Sequence, residues 1–194
     1  MSDSSAESTP PPAPITVVSG LMLLGFIIIA LAAFEAAGIM LIHMSLEVFF
    51  ASFLLLWHWA TVEKNEFSRL PHSVIGALVG VALAWWSGFA VAHFGMPTGL
   101  VMGLVPIIVA LFLVIMNWIP VAFNSSAMLF VTVLGAPALA KGANYVDLSI
   151  AVVLGGAFFS AAVWLALQYV TWRGKAKAAK AARATGSGTG AVAA

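Results

Sequence analysis

The chain contains no cysteine, and only 8% of its residues are charged. The first absence excludes disulfides, thiolate metal sites and cysteine nucleophiles, and leaves the redox compartment open. The second fits poorly with water as the solvent, because soluble domains carry about a quarter charged residues. The net charge of +1 is too small to hold a polyanion, so no nucleic-acid partner is expected. Soluble-enzyme signatures are also missing. There is no Walker A loop, no dinucleotide glycine motif and no Gly-x-Ser-x-Gly elbow. No lysine stands inside an apolar segment where a retinal Schiff base would need it. The expectation is a protein that is not an enzyme and holds no cofactor.

What fills the sequence instead is hydrocarbon. Apolar residues make up 62% of the 194, and the mean hydropathy is +1.08. A water-soluble globule of this length cannot hide so much apolar surface, which makes lipid the principal solvent. The fold class expected is all-α, a polytopic membrane helical bundle. Residues 1–14, MSDSSAESTPPPAP, are polar and Pro-rich, the composition of a disordered tail. They lack the basic start of a secretory signal, so the first apolar helix is expected to be retained.

Residues 15–172 divide into six apolar segments. The first spans Ile15 to Ala33 and the second Ile39 to Val62, with a tight join at Phe34–Gly38 that holds Glu35. Glu35 is expected to cap that turn or to line a mouth. The third runs from Ser73 to Phe94, the fourth from Leu100 to Phe123, the fifth from Ala127 to Ala140 and the sixth from Leu148 to Trp172. The fifth is short and interrupted by Gly135 and Pro137, so it is either an irregular crossing or a re-entrant hairpin. Irregular backbone at membrane depth needs protein or a wet cavity around it. Residues 173–194 begin basic and end as a flexible Gly/Ala/Ser/Thr tail.

Positive charge sets the threading. Lys64 and Arg69 place the loop Glu63–His72 inside, because short cytoplasmic loops are enriched in Lys and Arg. Six crossings then put both termini inside, with seven of the 8 basic residues on that side. Trp57, Trp59, Trp118 and Trp172 fall at the same ends, as an interfacial belt would.

Segments three and six share a faint echo, SVIGALVGVALAWW at 73–86 and SIAVVLGGAFFSAAVW at 149–164. Three helices followed by three inverted ones is a transporter plan consistent with it. Cheap matches among small apolar residues explain it equally well. Gly76, Gly80, Gly155 and Gly156 suit close helix packing.

The polar residues inside apolar segments are the candidate site. On a continuous second helix, His43, Glu47, Leu54, Trp57 and His58 fall within roughly 100° of arc at about 100° per residue. A buried carboxylate rarely faces lipid, so His43, Glu47 and His58 suggest a proton relay or a solute site. An interhelical hydrogen bond, or a His58 that snorkels to the interface, explains them as well. A metal ion is an alternative use of His43 and Glu47, with His93 as a third ligand. Two residues do not close such a site, and none is expected. Trp86 and His93 share a face of segment three, either as an aromatic constriction or as large core residues. Asn117 lies near the inner end of segment four. Asn124 and Ser125 open segment five, as a helix cap or as an end aimed at an anion or polar solute.

Two stretches resemble a small bacterial inner-membrane family of unknown function. One is FFASFLLLWHWA leading into IGALVGVALAWW. The other is SSAMLFVTVLGAPALAKGANYVDLSIAVVLGG. The likeness covers roughly residues 40–172, and the charged loop EKNEFSRLPH departs from the Gly-rich loop of that family. It implies an inner-membrane location and a helical bundle, and it brings no substrate or catalytic residue. The expected function is a channel or secondary transporter for a small solute. A structural or accessory membrane subunit and a membrane metal-binding protein are the alternatives. The expected partners are the lipid bilayer, a small solute, and either further copies of the chain or a membrane partner subunit.

Overall fold

The first apolar run continues through the place where its sequence invites a break. In the computed structural model, which describes residues 17–44, 48–136 and 144–186, helix α1 spans Val17–Ile42 without interruption. Glu35 therefore sits half-buried inside a helix and caps no turn. Glutamate and alanine are strong helix formers, and one glycine costs only about 1 kcal/mol, so Phe34–Gly38 stays helical. The helix stops at His43, whose φ of 53° is left-handed and cannot continue a right-handed turn.

Helix α2 spans Phe49–Thr61. A 3₁₀ turn at Phe67–Arg69 leads into α3, Leu70–Phe94, which carries a proline in its first turn, where the missing N–H costs nothing. Helix α4 spans Thr98–Met116 and ends earlier than its hydropathy suggests, because Asn117 adopts a left-handed φ of 52°. Asparagine is one of the few side chains that tolerate this helix stop. Helix α5 is Ser125–Leu134, and Pro137 lies outside the described residues. Helix α6, Tyr145–Gly186, runs on through the basic stretch beyond Trp172, since Ala, Lys and Arg favour helix.

Among the described residues four stretches are long and apolar enough to cross a membrane: Gly20–Leu41, Phe67–Phe94, Thr98–Met116 and Tyr145–Ala176. Helices α2 and α5 have 13 and 10 residues. At about 1.5 Å per residue they reach roughly 20 and 15 Å, well short of a hydrocarbon core of about 30 Å. Of the six expected membrane helices, the fifth of them short or irregular, four reach membrane length among the described residues and two, α2 and α5, are short. The shortness of α5 is visible in its sequence. That of α2 is not, because the apolar residues before His43 belong to α1.

Helix α3 touches every other described helix except α1 in substantial runs. It lies parallel to α5: Ser126 Oγ donates to the Ser73 carbonyl at 2.8 Å, and further along a Cβ on Gly80 would stand 2.5 Å from the Ala127 carbonyl oxygen. Helix α2 lies parallel to α6 in the same manner. Ser52 Oγ donates to the Ala151 carbonyl at 2.7 Å, and a Cβ on Gly155 would meet Ser52 Cβ at 2.6 Å. Helices α3 and α6 are antiparallel, with Gly156 beside Val74 and Gly88 beside the Tyr145 hydroxyl. Helix α4 returns along α3, Gly99 lying on Ala90 and Gly103 on Ser87. Helix α1 leans on α6 where Phe34 meets Phe158 and Phe159, ring centroids 5.2 Å apart in both pairs. Lipid offers apolar surface as readily as another helix does, so association depends on such close approaches and on interhelical hydrogen bonds. The core forms around Leu55, Ala77, Phe130 and Val152, each at most 1% exposed.

Candidate functional site: a polar pocket between α2, α3 and α5

The pocket follows from three helix ends meeting at one end of the bundle. Helix α2 finishes there, while α3 and α5 begin. Each end leaves backbone groups that need partners, and polar side chains gather to supply them.

Asn124 does most of this. It is extended, with φ −142°, and its Oδ1 accepts from the N–H groups of Ser126 (3.0 Å) and Ala127 (3.2 Å). Its Nδ2 donates to the His72 carbonyl at 2.9 Å, with the Pro120 and Val121 carbonyls at 3.2 and 3.3 Å. One side chain thus caps α5 and ties it to the first turn of α3. Gly76 permits this, since a Cβ there would collide with the Asn124 amide. The cap also occupies the first-turn N–H groups that an anion would otherwise take.

His58, 2% exposed, joins α2 to α5 through a 2.9 Å hydrogen bond between its Nε2 and Ser125 Oγ. Beside this bond lies a pocket of ≈ 230 Å³, lined by Glu63, Arg69, His72, Asn117, Asn124 and Ser125 together with Val114, Pro120 and Phe123. Both signs of charge and an imidazole therefore face one small space. His58 Nδ1, His72 Nδ1 and Ser73 Oγ are buried with no hydrogen-bond partner among the described residues. Buried polar atoms nearly always find protein or water, and at about 30 Å³ per water the pocket has room for several.

Of the residues singled out in the sequence, His58, Asn117, Asn124 and Ser125 come together here. The rest do not join them. His43 is exposed at the break after α1, so it does not share a helix with His58, and the polar stripe expected across segment two is corrected on that ground. Glu47 lies outside the described residues. Trp86 and His93 stand toward the far end of α3. The Trp86 indole donates to the Met102 carbonyl at 3.0 Å, and His93 stacks on Phe89 with centroids 3.9 Å apart. Among the described residues no three His, Asp or Glu side chains are grouped as a metal ion would require. Trp59 leaves the expected interfacial belt. It is 1% exposed, and its indole donates to the Glu66 carbonyl at 2.9 Å, whereas Trp57, Trp118 and Trp172 are exposed.

Glu63, Arg69 and His72 are pocket residues that the sequence reading did not single out: Arg69 served for threading, Glu63 and His72 only as the bounds of the loop. Their signal was position: ionisable groups directly abutting the apolar residues on both sides of a short loop.

The double role of Asn124 predicts a graded loss. Asn124→Ala should lower stability by about 1–3 kcal/mol, combining a lost cap with a buried carbonyl left unpaired. Asn124→Ser, which caps but cannot reach His72, should recover about half of that. Thermal melting of the two purified variants in detergent separates the roles, and equal losses would show that the tether to α3 adds nothing.

Comparison with protein-family models, with curated proteins and with solved structures returns no match. The likeness of residues 40–172 to an inner-membrane family rests on the quoted stretches alone.

Proposed function

We propose that this is an integral membrane protein that moves a small solute or protons, as a channel or secondary transporter, with its working centre where α2 meets α5. The observation that carries this is the order of helix lengths. Among the described residues the helices run long, short, long and then long, short, long again, and the two short ones touch through His58 and Ser125 beside a polar pocket. Short or interrupted segments at corresponding places in two halves are the best pointer to a transporter's binding site.

The proposal includes an inverted repeat of α1–α3 and α4–α6, which the helix contacts support. Exchanging the halves turns the parallel pair α3/α5 into α6/α2 and the hairpin α3/α4 into α6/α1, and all four pairs are in contact. The buried positions Gly76, Ala77, Gly80, Val81 and Ala84 recur 75 residues later as Ala151, Val152, Gly155, Gly156 and Phe159. Helical periodicity alone would align some of these. It does not require the glycine of each long helix to face the short helix of its partner half, as Gly80 faces α5 and Gly155 faces α2.

In this proposal His58, bonded to Ser125 beside the pocket, is the proton-carrying group, Glu63 and His72 link it to the aqueous side, and Arg69 counters charge on a solute. Asn117, Asn124 and Ser125 supply neutral hydrogen bonds. The protein acts without catalytic residues or a cofactor. A bacterial cytoplasmic membrane with both termini inside belongs to the same proposal, and the positive charge of Lys64, Arg69 and the basic stretch after Trp172 supports that orientation. One observation favours the alternative of an accessory subunit: only 12% of the membrane-length part of α1 is buried, leaving a face for further copies or another membrane protein.

Purified protein in liposomes tests the proposal, read by a pH-sensitive dye and by light scattering after osmotic shock with small polar solutes. Wild-type vesicles should exceed empty ones at least about tenfold in one assay. His58→Gln, which can still bond Ser125 but carries no proton, should abolish proton movement at unchanged melting temperature. Wild-type flux equal to that of empty vesicles, from folded protein, would overturn the proposal and leave the accessory reading.

A further inference from the structure

Below their contact at Phe34, α1 and α6 part. A cleft of ≈ 970 Å³ opens between them, with walls that include Phe26, Ile29 and Ala33 on α1 and Ala162, Ala166 and Val170 on α6. Its lining is apolar apart from the Tyr169 hydroxyl and one charged group, Arg173, at the end that also holds Met22.

The dimensions and the charge point to one occupant. From Met22 to Ala33 the helix rises about 17 Å, which is close to one leaflet, or half of a hydrocarbon core of about 30 Å. The alanines leave width for a chain, and Phe26 and Ile29 supply contact along it. Arg173 is placed at the mouth, its guanidinium 5.3 Å from the centroid of the Tyr169 ring, an arrangement that holds the cation while leaving its N–H fork free. Exposed Lys175 follows two residues later. A guanidinium matches a phosphate through two hydrogen bonds, and a second cation nearby favours a headgroup with net negative charge.

We infer that the α1/α6 cleft binds an anionic phospholipid, with an acyl chain along Phe26–Ala33 and its phosphate on Arg173. This requires the chain to be a membrane protein and does not depend on the pocket at His58.

The full chain in mild detergent, mixed with phosphatidylglycerol or phosphatidylcholine, tests this by native mass spectrometry. One phosphatidylglycerol per chain should remain bound at activation energies that strip phosphatidylcholine. Arg173→Gln should weaken phosphatidylglycerol binding about fivefold and leave phosphatidylcholine unchanged, the effect expected of one cation at a lipid surface. Ala166→Trp, which fills the cleft, should prevent retention of both lipids. Equal binding of the two lipids by wild type, or binding that both substitutions leave intact, would overturn the inference. So would Ala33→Cys and Ala166→Cys cross-linking between copies in membranes: the natural chain has no cysteine, and such a bond would show a second copy in the cleft.

Discussion

Trp59→Ala should lower stability by about 3–5 kcal/mol, the range for truncating a fully buried aromatic side chain. The ring is 1% exposed and meets Phe67 edge-on, with centroids 5.3 Å apart. It also closes a small gap between α2 and α6 beside Gly156 and Phe159. Truncation leaves a cavity there. It also frees the Glu66 carbonyl, which holds the loop that carries Glu63 and Arg69 over the pocket. For a chain of this size, about 2–4 °C per kcal/mol makes the expected fall in Tm roughly 10 °C. Trp59→Phe keeps most of the contact and loses only the N–H, so it should cost about 1 kcal/mol. Melting in detergent micelles distinguishes them. Near-equal values for the two would show that the indole N–H, and not the packed ring, matters. A wild-type Tm for Trp59→Ala would contradict the buried position altogether.

Gly80→Leu should prevent α3 and α5 from pairing. Even the first carbon of a side chain would stand 2.5 Å from the Ala127 carbonyl oxygen, 2.6 Å from Phe130 Cβ and 3.1 Å from the Val131 amide nitrogen. Two of these are backbone atoms, so no rotamer change relieves the clash, and the helices must separate. Gly80→Ala is expected to cost about 1–3 kcal/mol as simple overpacking. Gly80→Leu adds a bulk that the interface cannot absorb and should exceed about 4 kcal/mol, the range of outright misfolding. The measurement is the yield of monodisperse protein by gel filtration, followed by melting. Gly25→Ala is the control. A Cβ at Gly25 meets nothing within 4 Å, so the helix propensity gained, about 1 kcal/mol, should hold or raise the Tm. Similar behaviour of Gly25→Ala and Gly80→Ala would mean that α3 and α5 are not in close contact.

Both predictions turn on distinctions that local patterns do not make. Trp57 and Trp59 stand two residues apart at the end of the same apolar run. One is 48% exposed and the other 1%, because α6 and the loop close over only one face of α2. Gly25 and Gly80 both lie in long apolar helices, and only a neighbouring helix tells them apart. The helix ends show the same limit. Pro71 and the Gly95–Pro97 turn mark the bounds of α3 plainly. Left-handed turns at His43 and Asn117 depend on what the chain does next, so neither stood out against the apolar residues around it.

The candidate site was legible in part for a similar reason. Asn124-Ser125-Ser126 is a helix-start pattern on its own, and it begins α5 with the expected cap. His58 stood out as a polar group in an apolar segment. Glu63, Arg69 and His72 belong to a loop that reads as ordinary solvated charge. They become pocket residues because a second loop, Asn117–Asn124, lies against it. Asn124 reaches the His72 carbonyl across 52 positions of sequence, and no spacing rule reports a contact of that range.

Composition by itself pointed to lipid as the solvent and made the class of element legible. In lipid a backbone is satisfied by helices or by a closed barrel, long unbroken apolar runs favour the helices, and the described residues form helices joined by turns, with no strands. Tertiary structure alone decided where those helices stop and which of their few polar groups meet. Hydropathy is a sum over one stretch of chain, indifferent to neighbours. Burial and hydrogen bonding at His58, Trp59 and Gly80 are set by side chains from α5, α6 and the loop after α2, and these become neighbours only once the bundle has closed.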